Sequence, residues 1–210
     1  MMEPLSFERA KGLALHAPFW RQEEVEALMA DRPQLALYQT ELLVSQRRAL
    51  EWHNALYRDQ SRRGEVVLCL QNSAGQYLMH SKSFYPSNVY RLLTGGIHYN
   101  EPLMAALERE TLEETGWQAP CYQPLAVVFY TFCYQQERIP FFSYLFHSAV
   151  AGLSPAVQDE GESISAFSWM DADELKKATQ VLLQLPPPWE DWGRMRAVAH
   201  TVLLQFMAKG

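Results

Sequence analysis

The amino-acid sequence predicts an α/β (α+β) protein with one main domain and extensions at both ends. Runs rich in aromatic and β-branched residues, typical of strands, lie on both sides of a helix-like stretch without Gly or Pro. The chain has 210 residues, of which 48% are apolar and 20% charged, so it can bury a full core. The central part of the chain therefore combines strands with helices.

The first predicted element is a long amphipathic helix over residues 33–62. Pro33 is well placed at a helix start, and no Gly or further Pro follows in this stretch. One seam of residues recurs at alternating steps of three and four. Its members are Leu35, Tyr38, Leu42, Ser45, Ala49, Trp52 and Leu56. The sequence leaves open whether this helix forms a homodimer interface or lies on its own domain.

Strands are predicted on both sides of the central helix. Residues 65–70 and 76–81 form a hairpin about the turn at 72–75, and residues 90–93 form a third strand. Residues 125–134 and 141–150 form a second hairpin about the turn at 135–140. A last strand at 167–170 leads into a helix from 171, and the prolines at 186–188 separate residues 176–185 from a final helix at 189–207.

The central helix, predicted over 103–115, carries the residues that say most about function. At about 100° per residue, Glu110, Glu113 and Glu114 fall within a sector of roughly 100°. Carboxylates at this spacing repel, so a positive partner is expected beside them. Hard oxygen ligands without Cys or His nearby favour Mg²⁺ or Mn²⁺ over zinc. Arg109 is placed to hold a carboxylate in its ligand conformation, and Gly116 to end the helix.

The spacing of these residues resembles a known signature, the Nudix box. Its seven fixed Gly, Glu and Arg positions are matched by Gly95, Glu101, Arg109, Glu110, Glu113, Glu114 and Gly116. Thr111 stands where the box usually has an aliphatic residue. The box marks hydrolases that act on a nucleoside diphosphate linked to another moiety. The resemblance implies a Nudix fold, with a mixed β-sheet between helices, over residues 64–180. Residues 1–63 are then an N-terminal helical extension, and residues 181–210 a C-terminal helical extension.

The resemblance also assigns roles to individual residues. It implies that Mg²⁺, or alternatively Mn²⁺, is held by Glu110, Glu113, Glu114 and the Gly95 carbonyl. Glu101 is expected to be an outer or helix-capping carboxylate. A further acid is expected from the loop before residue 169, and Glu162 is the first choice among the candidates. The others are Glu160, the next choice, and Asp159.

Three functions are consistent with the sequence. The resemblance implies Mg²⁺-dependent hydrolysis of a diphosphate linkage, in which Glu113 or the loop Glu takes the proton from water. The alternative is a nucleotide-binding sensor on the same fold that does not turn its ligand over. The third is a non-hydrolytic isomerase, which would need a catalytic Cys and clustered His residues. The histidines considered for it, His80, His98 and His147, are scattered along the sequence.

The chemical identity of the substrate is not resolved by the sequence. Aromatic residues that could stack on a base are Tyr85, Tyr90, Tyr130 and Phe142. Tyr134 lies near the place where Nudix enzymes that cleave dinucleoside polyphosphates often carry a tyrosine, although strands favour aromatic residues in any case. Lys82, Arg91 and Arg138 are candidates for phosphate contacts.

Charge and cysteine content indicate the kind of ligand and the cell compartment. A net charge of −6 argues against a broad nucleic-acid surface and favours a small nucleotide-like ligand. Three cysteines, an odd number without C-x-x-C spacing, indicate a reducing compartment. No stretch approaches the ~20 apolar residues of a membrane span, and the start lacks a signal-peptide pattern. A cytoplasmic protein is expected.

Overall fold

The computed structural model describes residues 2–14, 17, 19–118, 121–150 and 154–208, and it confirms the predicted α/β class. The chain divides into two compact units. The first consists of Met1–Val66, Gly96–Ala106 and Pro124–Leu145, and the second of Val67–Gly95, Leu107–Gln123 and Phe146–Gly210.

Eight strands and six α-helices lie in the described residues. The strands are Glu3–Pro4 (β1), Ala36–Leu43 (β2), Gly64–Gln71 (β3), Tyr77–Lys82 (β4), Arg91–Ile97 (β5), Gln123–Tyr134 (β6), Glu137–Ala149 (β7) and Ile164–Met170 (β8). The helices are Phe7–Ala14 (α1), Gln22–Asp31 (α2), Gln46–His53 (α3), Leu103–Thr115 (α4), Ala172–Leu183 (α5) and Glu190–Met207 (α6). A π-helix at Asn54–Arg58 and a 3₁₀-helix at Glu160–Glu162 complete them.

In the first unit, the strands are hydrogen-bonded in the order β1-β2-β6-β7-β3. β2 runs parallel to β6, with Leu37 opposite Val127, whereas β1 is antiparallel to β2. The pairing is therefore mixed. Helix α3 places Trp52 against aromatic rings of the sheet, with ring centroids 4.3 Å from Phe141 and 5.3 Å from Phe132. These rings form the core of this unit.

In the second unit, the strand order is β3-β5-β4-β8, and β4 is antiparallel to both β5 and β8. Helices α5 and α6 pack against each other. Helix α5 begins with a capping box, in which the Asp171 side chain accepts from the Glu174 backbone and the Glu174 side chain accepts from the Asp171 backbone. Leu182 of α5 and Ala197 of α6 form a small buried hydrophobic cluster with Val89.

The predicted long helix over 33–62 is wrong in its first half. Residues Ala36–Leu43 form a strand, because eight consecutive positions pair with β6, and such tertiary pairing overrides helix propensity. Ser45 then starts α3, since its side chain accepts from the Arg48 N–H. The 1–63 segment therefore contains strands as well as helices.

The seam residues in the second half of the predicted helix lie in the core of the first unit. Ala49, Trp52 and Leu56 are buried in the first unit, at 1%, 8% and 1% exposure. These side chains are consequently not available as the homodimer surface that the seam suggested. The other possibility that the sequence left open, a helix lying on its own domain, is correct for this half of the segment.

The turn of the second hairpin also differs from the prediction. The second hairpin turns at Gln135 and Gln136, and β7 begins at Glu137, so the turn is shorter than 135–140 and Pro140 lies within the strand. Gln135 has a φ of 51°, the left-handed conformation that a tight turn requires.

Candidate active site

Helix α4 has the bounds that the sequence predicts. Its predicted buried stripe of Leu103, Ala106, Leu107 and Thr111 is buried. Gly116 ends the helix with a φ of 73°, which glycine adopts without steric penalty. The hydroxyl of Thr111, the departure from the box, donates to the Leu107 carbonyl at 2.7 Å and is also in hydrogen-bond contact with the Tyr122 hydroxyl. The Thr111 hydroxyl is therefore hydrogen-bonded in its buried position.

The three glutamates of α4 lie in different environments. The Glu113 side chain is 32% exposed, that of Glu110 is 7% exposed and that of Glu114 is fully buried. Arg109 Nη1 donates to Glu110 Oε1 at 2.7 Å and to Glu113 Oε2 at 2.9 Å. Arg109 thus orients both carboxylates, as the sequence analysis expected for one of them.

Gly95 and Glu110 are in close contact in the second unit. A Cβ atom built on Gly95 would lie 1.7 Å from Glu110 Cδ and 2.0 Å from Glu110 Oε2. Any side chain at position 95 would therefore displace the carboxylate. The glycine therefore allows β5 and the Glu110 carboxylate to approach each other closely.

Glu114 is a buried carboxyl group without a hydrogen bond. Neither Oε1 nor Oε2 has a partner in the part of the chain that the structure describes. Burial raises the pKa of Glu114 to about 8, and the charges of Glu162 and Glu110 act in the same direction. Arg91 and Lys82 oppose this shift. Burial also raises the pKa of Glu110, and the hydrogen bond from Arg109 opposes that shift.

His80 on β4 lies beside Glu114. Its Nδ1 atom is 3.8 Å from Glu114 Oε1, and both residues are fully buried. Burial lowers the pKa of His80 well below its usual range, and the charges of Arg91, Lys82 and Arg196 lower it further. The pair therefore consists of two neutral groups at neutral pH rather than an ion pair.

The loop that was expected to supply a further acid is attached to the end of α4. The Ala156 N–H donates to the Thr115 carbonyl at 2.8 Å, and the Gln158 N–H donates to the Glu113 carbonyl at 2.9 Å. After this loop, Glu162 Oε2 accepts a hydrogen bond from Lys82 Nζ at 2.6 Å. The negative charge of Glu162 contributes to the raised pKa values of Glu110 and Glu114. Glu162 thus belongs to the same charged group.

The two other loop acids are placed differently. Asp159 Oδ1 accepts from the Gly161 N–H at 2.8 Å, which closes a local turn. Glu160 starts the 3₁₀-helix, and its side chain lies outside the described part of the structure.

Glu101 lies in the first unit and holds the loop before α4. Its Oε2 atom accepts from the His98 N–H at 3.0 Å. The Glu101 carbonyl accepts from Arg63 Nη2 at 2.9 Å, and Arg21 Nη2 donates to the Tyr99 carbonyl at 2.9 Å. These contacts hold the loop that precedes α4 in place.

Glu24, which no sequence pattern indicated, anchors this loop. Glu24 of α2 forms two hydrogen bonds with the buried Arg63, at 2.7 and 2.8 Å, and accepts from the Leu103 N–H at 3.2 Å. Glu24 is therefore a cap for the first residue of α4. Glu24 and Arg63 are 39 residues apart, so no local pattern could have paired them.

The residues considered for substrate contacts differ in burial and in hydrogen-bond partners. Tyr130 and Phe142, considered as base-stacking residues, are buried at 2% exposure each. Arg91 is also buried and donates to the Tyr85 hydroxyl at 2.7 Å and to Thr94 Oγ1 at 2.6 Å. Arg138 donates to the carbonyls of Gln135 and Glu137 at the hairpin turn. Lys82 remains beside the acids, paired with Glu162.

The donor set fits a hard divalent cation. Glu110, Glu113, Glu114 and Glu162 would supply oxygen ligands to such an ion, and the buried Glu114 oxygens, which lack hydrogen bonds within the described residues, favour an additional positive charge. Gly95 leaves room for the Glu110 carboxylate at the strand end. Within the described ranges, no three His, Cys, Asp or Glu side chains are already grouped in a metal-binding arrangement. No described helix is both long and apolar enough to cross a membrane.

Comparison with known proteins identifies the family. The model of the NUDIX domain matches residues 61–187, more than half of the chain, so the chain belongs to the Nudix family. A curated relative, Phosphatase NudJ of Shigella boydii serotype 4 (strain Sb227), is 25% identical over 116 residues, which are 55% of this chain and 73% of the relative. The family and its relatives identify the chain as a Nudix hydrolase.

Two solved structures illustrate what the chain is similar to. A NUDIX hydrolase from Nitrosomonas europaea matches with a TM-score of 0.50 and 18% identity, covering 69% of this chain and 88% of its own. The E. coli dihydroneopterin triphosphate pyrophosphohydrolase matches with a TM-score of 0.49 and 15% identity, covering 71% and 98%. The predicted Nudix fold is confirmed.

Proposed function

We propose that the protein hydrolyses a diphosphate linkage in a nucleoside diphosphate derivative, with Mg²⁺ as the metal, to give a nucleoside monophosphate and the phosphorylated partner. The observation that carries this proposal is the buried Glu114 carboxyl, which has no hydrogen-bond partner among the described residues and on which the charges of Glu110 and Glu162 act. An unpartnered buried carboxylate is costly to ionise, and a bound cation would remove that cost.

The residues proposed to hold the metal are Glu110, Glu113, Glu114 and the Gly95 carbonyl. When bound, the metal would neutralise diphosphate charge and make a bound water more acidic. Arg109 holds Glu110 and Glu113 through hydrogen bonds of 2.7 and 2.9 Å, which limits their side-chain freedom before substrate arrives. Mn²⁺ is the alternative ion, because it takes the same oxygen ligands.

The proton acceptor is proposed to be Glu113 or Glu162. Both side chains are partly exposed, at 32% and 23%, whereas the Glu114 side chain is fully buried. Glu162 is held by Lys82, whose Nζ atom is 2.6 Å from Glu162 Oε2. Comparison of the pH–rate profiles of Glu113→Gln and Glu162→Gln would identify the base, which is the residue whose loss removes the acidic limb.

The substrate is proposed to be a small nucleotide-like molecule in the cytoplasm. A net charge of −6 supports a small ligand over extended nucleic acid. Three free cysteines, of which Cys69 and Cys133 are buried, support a reducing compartment. A homodimer, the other expectation, would need a surface other than the buried seam of Ala49, Trp52 and Leu56.

Product analysis tests this proposal. The protein would be incubated with Mg²⁺ and ADP-ribose, sugar nucleotides, dinucleoside polyphosphates, coenzyme A, NADH and nucleoside triphosphates. We expect one class to be cleaved, with loss of cleavage in Glu114→Gln. The control is Glu108→Gln, the same substitution at an exposed position of α4, which should keep activity. Ligands that raise the melting temperature without being cleaved would support the sensor alternative instead.

A further inference from the structure

His80 and Glu114 are unusual because both lack hydrogen bonds in the same buried place. Neither ring nitrogen of His80 and neither carboxyl oxygen of Glu114 has a partner among the described residues, although both side chains are fully buried. Buried polar groups in native proteins are nearly always paired, so two adjacent exceptions need an explanation. His80 Nδ1 and Glu114 Oε1 are 3.8 Å apart, slightly beyond hydrogen-bond distance.

The other fully buried histidine of the second unit shows what a structural role looks like. His200 Nε2 accepts from the Leu92 N–H at 3.1 Å, and its Nδ1 is in hydrogen-bond contact with Thr179 Oγ1 at 3.2 Å. Both of its nitrogens are therefore satisfied within the fold. His80 has no such contacts, so packing alone does not account for an imidazole at this position.

The neighbouring strands fix the position of the His80 backbone. His80 is opposite Arg91 on β5 and Phe167 on β8, so hydrogen-bonded strands lie on both sides of it. The cations facing it are Arg91, Lys82 and Arg196, and Glu114 is the acid beside it. An imidazole carries at least one N–H donor in either protonation state, and a metal-bound carboxylate would offer an acceptor to it.

We propose that His80 is a positioning residue for Glu114: its Nδ1–H donates to one oxygen of the Glu114 carboxylate while the other oxygen binds the metal. This inference rests on the proposed metal-dependent function. The present 3.8 Å separation needs to shorten by less than about 1 Å to become a hydrogen bond. A hydrogen bond of this kind orients a ligating carboxylate, and its removal typically lowers metal affinity 10–100-fold.

Calorimetric titration with MnCl₂ tests the proposal independently of turnover. His80→Leu removes the donor and should raise the Kd for Mn²⁺ about 10–100-fold. His80→Asn keeps an N–H donor near the Nδ1 position and should restore the Kd to within about threefold of the wild type. His200→Asn is the matched control, because it alters a buried histidine with structural contacts. It should lower the melting temperature and leave the Kd for Mn²⁺ unchanged.

The outcomes separate this inference from the function on which it rests. If wild-type protein binds Mn²⁺ and His80→Leu binds it equally well, the positioning role is wrong and the proposed function stands. If wild-type protein binds no Mn²⁺ and cleaves nothing, both are wrong. Nitrogen hyperfine coupling to bound Mn²⁺ would overturn the positioning role in favour of direct ligation. Should His80→Leu fail to fold, His80→Ser, which is too short to reach Glu114, replaces it with the same two outcomes.

Discussion

Glu110 occupies the space that a side chain at Gly95 would need. A Cβ at position 95 would lie 1.7 Å from Glu110 Cδ, far inside any tolerated contact. The neighbouring Gly96 differs, since its Cβ would meet only the flexible end of Arg62, at 3.4 Å. The two adjacent glycines therefore have different reasons to be present.

Gly95→Ala is expected to displace the Glu110 carboxylate and lower kcat at least about 100-fold, because misplacement of a catalytic group by about 1 Å has an effect of this size. Steady-state kinetics and a metal titration measure the loss. Gly96→Ala is the matched control and should stay within a few-fold of the wild type. Equal activity in the two variants would contradict the assigned contact.

Glu114→Gln should change how stability depends on pH. The Glu114 pKa is raised from 4.5 to about 8, so between these values the folded protein binds more protons than the unfolded chain. The stability of the metal-free wild type should therefore fall as pH rises from about 5 to 8. Gln does not ionise, so the melting temperature of the variant minus that of the wild type should increase over this range. A difference independent of pH would mean that the Glu114 pKa is not raised.

Glu24→Ala should destabilise the protein by about 3–5 kcal/mol, because it leaves the Arg63 guanidinium buried without its carboxylate partner. Arg63 is only 1% exposed in its side chain, and Glu24 also caps α4. Urea unfolding measures the change. Glu23→Ala, at an exposed position of the same helix, should stay within about 0.5 kcal/mol of the wild type. Similar stabilities of the two variants would show that the Glu24 contacts contribute little.

Arg109→Ala should weaken Mn²⁺ binding about 10–100-fold, because Glu110 and Glu113 lose the guanidinium that orients both. Arg109→Lys should give an intermediate Kd, since an ammonium is a point charge without the fixed fork of the guanidinium. Tighter Mn²⁺ binding in Arg109→Ala would instead indicate that Arg109 competes with the metal for the carboxylates.

Local sequence patterns predicted α4 and its carboxylates well, because the periodicity, the Gly116 stop and the box spacing all lie within one short segment. The strand at Ala36–Leu43 was missed because its cause is pairing with β6, about ninety residues away. The pairing of Glu24 with Arg63 is nonlocal in the same way. His80 and Lys82 are two residues apart on β4, so strand alternation puts them on one face, but only the fold brings that face to Glu114 and Glu162.

The most direct test of the central claim is the rate of nucleoside monophosphate release as a function of Mg²⁺ concentration, for the wild type, Glu114→Gln and Glu108→Gln. The substrate is the compound cleaved in the panel above. We predict no release in EDTA, saturable activation in the wild type and Glu108→Gln, and a rate at least about 100-fold lower in Glu114→Gln at saturating Mg²⁺. Release in EDTA, or a wild-type rate in Glu114→Gln, would contradict a metal-dependent reaction at the α4 carboxylates.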